Sequence, residues 1–371
     1  MLDGHAQALA APRWHVKTAT LSMVLAVVFF SLSNLANTRN LASTGQVSMS
    51  RAATHRSRRM AVQPVKLAIG NNNNNLVEAM AKKHNLMYLS RSQTSLLPSE
   101  KQFFIFVHDP SIDKDGSGDI IKNVNWHSLL LQSLQDVVQE TIVAKDHVLV
   151  YDIGGNLGFV SMFLASLGPH VKVVSVEPMD VHHSLFKSSL LMNPGISEQI
   201  TIENVALATK ASGVLCMAND PSNFAASSVK MDESDCQQKV SVSTLEILCC
   251  RHGHPDIIKI DVEGFEPIVF QGGLECLRRN PPAHIISEFV PFRVNATGFL
   301  TDPYDFLDFM VDLGYTFTDV MCYAHSKLSD CPGYVLREKH DIRGYWASRN
   351  KEYNNEYYTD IIWSRTRSSG A

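Results

Sequence analysis

Between residues 147 and 363 the chain alternates two patterns. Short apolar runs rich in Val and Ile, closed by Gly, Pro or an acid, predict strands at 147–152, 172–177, 200–206, 256–261, 284–289, 314–320 and 358–363. Apolar positions at helical spacing predict helices near 158–167, 180–192, 265–279 and 303–313. Strand and helix in this order imply an α/β fold, a doubly wound Rossmann-like sheet of about seven strands whose last strand is expected to run antiparallel. Upstream, 103–107 reads as a further strand, and Leu130, Leu134, Val137 and Val138 mark one face of a helix over 126–141. Residues 213–218 and 240–243 predict a small hairpin, with the Ser-rich stretch 221–228 as its solvated loop.

The first hundred residues follow different rules. A tail at 1–17 leads into 18–36, 19 uncharged residues that are nearly all apolar at their centre. At about 1.5 Å per residue such a helix nearly crosses a ~30 Å hydrocarbon layer, so a membrane anchor is expected, with a signal segment cleaved after Ala36 as the second option. Either one directs the chain to the secretory pathway, endoplasmic reticulum or Golgi. Residues 1–77 hold one acid, Asp3, against eight basic residues, which leaves plastid delivery as another address. Residues 37–100 show no sustained period and include five consecutive asparagines at 71–75, the composition of a stem. The folded domain is expected over 101–371, with its core at 145–290.

With 45% apolar residues in 371, the chain can bury a large core, and a net charge of −4 gives no reason to expect nucleic acid as a partner. Seven cysteines contain no C-x-x-C pair, so no zinc site is expected. Cys322 and Cys331 are candidates for a disulfide if the domain is lumenal, Cys276 is expected to be buried and inert, and the odd total leaves at least one free thiol. The pairs His182-His183 and His252-Gly253-His254 read as surface or loop residues. The loop from Asp113 to Asp119 resembles a calcium loop only in its acids, since Val124 stands where a bidentate Glu is needed, and no metal is expected there. Asn295-Ala296-Thr297 is the glycan acceptor motif.

Candidate chemistry gathers at three strand ends. Residues 151–158 read Tyr-Asp-Ile-Gly-Gly-Asn-Leu-Gly after an apolar run, a strand that passes through glycines into a helix and brings backbone close to a ligand. The spacing Asp-x-Gly-x-Asn-x-Gly departs from the dinucleotide pattern G-x-G-x-x-G. A carboxylate at Asp152 attracts a sulfonium and an ammonium, which favours S-adenosylmethionine over a pyrophosphate. Glu177, roughly 20 residues on at the end of the next strand, suits the two hydroxyls of an adenosine ribose. The run 256–266 delivers Asp261 and Glu263 at a strand end, with Glu266 at the start of a helix.

These stretches, Asp152 to Gly158, then Val176-Glu177-Pro178, then Ile258-Lys259-Ile260-Asp261-Val262-Glu263-Gly264, resemble in order and spacing the FkbM family of S-adenosylmethionine-dependent methyltransferases. The run Lys-Ile-Asp-Val-Glu-Gly is the most specific, and 358–363 is similar to the family's last strand. Gly155 is a small departure, since the family usually has another small residue there. The resemblance implies that Asp152, Gly154, Gly155, Asn156 and Gly158 hold the methionine part and Glu177 the ribose. It also implies that Asn204 and Ala206 lie near the adenine, and that Asp261 and Glu263 face the transferred methyl or its acceptor. A hydroxyl acceptor, often on a sugar, is the expected substrate, and Asp261, Glu263 and Glu288 are the candidate bases. The rival readings are a catalytically silent, membrane-tethered binding protein on the same fold and an NAD-dependent oxidoreductase.

Overall fold

The computed structural model describes residues 88–91, 96–114, 116–122, 127–220, 227–229, 233–321, 335–354 and 356–365. The segment 18–36, the stem through residue 87 and the Cys322–Cys331 pair lie outside them. Among the described residues no helix is long and apolar enough to cross a membrane.

Seven strands form the central sheet: β1 Val148–Ile153, β2 Val171–Val176, β3 Ile200–Glu203, β4 Ile257–Ile260, β5 His284–Phe289, β6 Thr316–Asp319 and β7 Thr359–Ser364. Their spatial order is β6-β7-β5-β4-β1-β2-β3. β3, β2, β1, β4 and β5 run parallel, while β7 is antiparallel to both β5 and β6. The chain starts in the middle and winds outward in both directions, so the strand order reverses at β1 and β4. Ligands bind at that switch point, beyond the carboxyl ends of the strands.

Helices cover both faces. Helix α1 Ser128–Ala144, α2 Phe159–Leu167 and α3 Asp180–Met192 lie on one side, with the strand Phe104–Val107 beside them. The other side carries α4 Leu245–His252, α5 Glu266–Gln271, α6 Leu274–Arg279, α7 Asp305–Asp312 and α8 Lys339–Glu352. Period-two alternation feeds both cores: Val148 and Val150 pack against the first group, Tyr151 and Ile153 against the second.

Three expected elements take a different form, and helix α8 was not expected. The strand expected over 200–206 stops at Glu203, because Asn204 donates from Nδ2 to the carbonyls of Glu177 and Pro178, both at 3.0 Å, and turns the chain away. Ala206–Leu207 then joins a second sheet with Val214–Asn219, Ser227–Val229 and Gln238–Ser243, so the expected hairpin is part of four strands and residues 227–229 are strand, not loop. The helix expected over 265–279 is broken at Gly272-Gly273. A Cβ on Gly272 would meet the Ala208 carbonyl oxygen at 2.1 Å and one on Gly273 the Leu245 side chain at 2.5 Å, so the chain packs here closer than a continuous helix allows.

Two disulfides are formed, Cys216–Cys236 and Cys249–Cys276, and Cys250 is the free cysteine among the described residues. Cys276 is buried as expected but is bonded, not an inert thiol. Its partner lies 27 positions away, a contact made by the packing of α4 on α6. Asp113 is wholly buried, and its carboxylate accepts from the Ser117 backbone N at 2.8 Å and from the Ser117 hydroxyl. It ties down the start of the helix Ser117–Lys122, which accounts for the calcium-like acid.

Candidate active site

The glycine turn after β1 is built by close approach. Gly154 and Gly155 both donate to the Val176 carbonyl, at 3.0 and 2.9 Å, and fold the loop against the end of β2. Gly154 has φ +83°, and an added Cβ would lie 1.9 Å from the Asp261 carbonyl oxygen, so only glycine lets β1 and β4 end side by side. Gly158, at φ +85°, faces the Phe186 ring and starts α2. Asn156 is left-handed at φ 49° and points its backbone N–H at Glu177 Oε2, 2.9 Å away.

Glu177 is buried at the end of β2. Its Oε2 accepts from Asn156 and its Oε1 from the Met179 N–H at 2.8 Å, while His182 Nδ1 lies 3.5 Å from Oε1. A carboxylate has about four acceptor positions, so two N–H donors leave capacity for two hydroxyls. His182, expected at the surface, is 1% exposed, packs edge-on to His108 and lines the cleft. Burial pushes His108 down to about 4, with the nearby His182 adding to the effect and Asp113 opposing it. Val205, Ala206 and Leu207 line the wall beyond Glu177. Asn204 ties that segment to β2 by the two bonds described above and stands behind the wall.

Asp152 is completely buried and does not face the cleft. Its Oδ2 accepts from the Ser161 hydroxyl of α2 at 2.6 Å, and its Oδ1 lies 3.4 Å from Lys259 Nζ. Lys259 is its direct neighbour across β1 and β4. The ammonium also donates to the Gly154 carbonyl at 3.2 Å and approaches Asp261 Oδ2 at 3.7 Å. Burial works against the charge on Lys259, but Asp152 and Asp261 outweigh it and hold its pKa above the ordinary value. Burial raises Asp152 in turn, against the pull of Lys259. The cleft therefore meets Lys259 and Asp261 directly, and Asp152 acts through the lysine.

Beyond β4 the loop is held by its own acid. Glu266, 1% exposed, accepts from the backbone N–H of Val262 at 2.9 Å and of Gly264 at 3.4 Å, and burial pushes it up to about 7. This bonding fixes Glu263 in the left-handed region at φ 58° on the cleft wall. Burial first, and the charge of Asp261 second, push Glu263 up to about 7, while its ion pair with Arg293 pulls the other way. Glu288 stands opposite Asp360 across β5 and β7, and its Oε2 lies 3.3 Å from the same Arg293 Nη1. Burial and the neighbouring Asp261 and Glu263 raise Glu288 well above the carboxylate range, and burial with Asp261 pushes Asp360 up to about 7. Acids crowded in a partly buried site until their pKa values rise are characteristic of sites that handle protons.

Lys259, Asp261 and Glu263 line a cleft at the switch point that Gly116, Ile120 and His127 line from the N-terminal side. Burial lowers the pKa of His127, with Asp261 opposing. An adenosine-type cofactor fits the donor set. Glu177 has acceptor capacity left for the ribose, Val205, Leu207 and Met217 give an apolar wall for a base, and Asp261 and Glu263 supply negative charge for a sulfonium. Of the residues expected from the sequence, Gly154, Gly155, Asn156, Glu177, Ala206, Asp261 and Glu263 line the cleft. Gly158, Asn204 and Asp152 support it from behind, and Glu288 joins through Arg293. Lys259, Arg293, Asp360, His127 and His182 were not expected. Lys259 and Asp360 had a signal, a charge inside an apolar strand run, which is costly to bury without a partner. Arg293 had none.

Residues 152–317 match the model of the methyltransferase FkbM domain. No curated protein matches the sequence. Among solved structures, the chain is similar to a precorrin-6y C5,15-methyltransferase from Geobacter metallireducens GS-15, at 11% identity over 63% of this chain and 89% of that one, TM-score 0.32. It is also similar to magnesium protoporphyrin IX methyltransferase from Synechocystis PCC 6803, solved with bound S-adenosylmethionine, at 13% identity over 64% and 81%, TM-score 0.33. Residues 152–317 thus carry a methyltransferase FkbM domain, and the protein is an S-adenosylmethionine-dependent methyltransferase.

Proposed function

We propose that the enzyme methylates a hydroxyl oxygen on a carbohydrate, glycolipid or related small metabolite. The observation that carries this reading is Glu263, a cleft-lining carboxylate whose pKa is pushed up to about 7 by burial and by Asp261. A hydroxyl must lose its proton as the new bond forms, and a base works best when its pKa lies near the working pH. When bound, S-adenosylmethionine supplies a methyl carbon already activated by its sulfonium. Glu177 would hold the ribose, the turn 154–156 and Asp261 the methionine part, and Lys259 would keep turn and aspartate in place. Glu263 takes the acceptor proton at a carboxylate oxygen, and Arg293 sets how readily it does so. A carbohydrate is supported further by Phe292 and Tyr358, 63% and 62% exposed near the ends of β5 and β7, which offer aromatic faces beside acids that accept hydroxyl hydrogens.

The proposal includes an address: the catalytic domain is lumenal or extracytosolic, tethered through residues 18–36. Two disulfides and an exposed Asn295 in the glycan motif support an oxidising compartment. The test is incubation of the enzyme with radiolabelled methyl donor and a cell extract separated into glycans, lipids, small metabolites and protein. Label in the glycan, lipid or small-metabolite fraction, stable to mild base as an ether is, supports the proposal. Label confined to protein, or lost as from a methyl ester, overturns it.

A further inference from the structure

On the face of the sheet that carries α4 and α6, outside the lining of the cleft, Cys249, Cys276 and His254 form a cluster whose ligand atoms all lie within 4.8 Å of one another. Both cysteines are buried, His254 is exposed, and His254 Nδ1 sits 3.3 Å from Cys276 Sγ. The cysteines are joined as a disulfide. From this geometry we infer that the cluster is a redox-gated metal site: in its reduced form Cys249, Cys276 and His254 bind one zinc-like ion, with water from the exposed side in the fourth position.

The packing holds the three ligands together without the sulfur–sulfur bond. Glu246 of α4 accepts from the Cys276 backbone N–H at 2.7 Å and pairs with Arg279, so α4 and α6 stay bound to each other. The Glu246 N–H donates to the Gly272 carbonyl at 3.2 Å, at the break between α5 and α6. The Gly253 N–H donates to the Cys249 carbonyl at 3.0 Å and the Gly253 carbonyl accepts from the Tyr151 hydroxyl at 2.6 Å, which fixes the turn that carries His254. A tetrahedral zinc ion with bonds of about 2.3 Å to sulfur and about 2.0 Å to nitrogen needs sulfurs roughly 3.8 Å apart and nitrogen roughly 3.6 Å from each. The nitrogen already lies 3.3 Å from Cys276 Sγ and within 4.8 Å of Cys249 Sγ, and rotation of the two cysteine side chains supplies the rest.

The chemistry balances in two steps. A small-molecule dithiol gives two electrons and two protons to the disulfide, yielding two thiols and its own cyclic disulfide. Zinc then displaces both thiol protons to solvent as it binds two thiolates and the neutral imidazole. Set into α4, α6 and the turn that leads to β4, such an ion would replace one cross-link by another when this disulfide is reduced.

Full-length protein is reduced with a dithiol, freed of reductant under argon and titrated with Zn²⁺ alone, with metal per chain read by mass spectrometry. Co²⁺ in place of Zn²⁺ reports thiolate ligation by its charge-transfer absorption. About one ion per chain is expected, with affinity at least about tenfold weaker in His254→Ala and unchanged in Cys216→Ser. Oxidised protein should bind none. His254 is exposed, so its variant folds even if Cys276→Ser does not. Failure of the folded protein to be reduced at this pair, absence of zinc in the reduced protein, or equal affinity in His254→Ala overturns the inference.

Discussion

At Lys259 a buried ammonium stands between the Asp152 and Asp261 carboxylates and the Gly154 carbonyl. Removing one partner of a buried pair leaves the other without compensation, which costs about 3–5 kcal/mol. Lys259→Met should therefore lose about that much in urea unfolding, and Asp152→Asn in the same background should recover part of it, as coupled neighbours do. An unchanged midpoint in Lys259→Met would show that the pair is not a structural unit. Glu263 gives a kinetic prediction. As a base it must be ionised, so kcat/KM should rise with pH through about 7, and Glu263→Gln should lose about a hundredfold or more. Arg293 holds that pKa down, so Arg293→Gln should move the acid limb to higher pH. A profile that stays in place in the variant would remove the arginine from this role. Glu263 was legible in the sequence as an acid at a strand end, but its partner Arg293 lies 30 positions away and is brought there only by the fold.

The strands at the middle of the central sheet were legible because buried parallel strands need runs rich in branched apolar residues, and β1, β2 and β4 have them. Their ends were not. The sheet stops at Glu203 because an asparagine side chain takes two carbonyls of another strand's loop, a contact that leaves no periodic trace. Helix α8 was missed for a different reason: its sequence is mostly charged and polar, and only Ile342 and Trp346, one turn apart, are buried. The glycine turn is the element on which the cleft depends most. Gly154→Ala adds a Cβ that must displace the Asp261 backbone and strains a left-handed residue, so a loss of at least about 2 kcal/mol is expected in thermal unfolding, along with loss of cofactor binding. Wild-type melting with normal turnover would contradict the close approach of β1 to β4.

On the scale of the whole molecule, the buried Glu266 and the half-buried Glu263 and Asp360 make stability depend on pH in an unusual direction. Glu263, Glu266 and Asp360 are all pushed up to about 7 in the folded protein, so between about pH 4.5 and 7 the folded state holds protons that the unfolded chain has released. Stability from these groups is therefore present at the acid end of that window and falls as pH rises through it. The lowered His108 and His127 act in the opposite sense in wild type and variant alike, so the measurable quantity is the difference: relative to Glu266→Gln, which has no proton to lose, the wild type should lose melting temperature between pH 5.5 and 7.5. A slope that Glu266→Gln leaves unaltered would contradict the burial of Glu266.

The account rests on an adenosine-type methyl donor sitting at the switch point between β1 and β4, held by Glu177 and Asp261. Calorimetric titration of the full-length protein with S-adenosylhomocysteine tests this most directly. One site per chain is expected in the wild type, with affinity at least about tenfold weaker in both Glu177→Ala and Asp261→Ala. No heat in the folded wild type at millimolar ligand, or wild-type affinity in both variants, would contradict it.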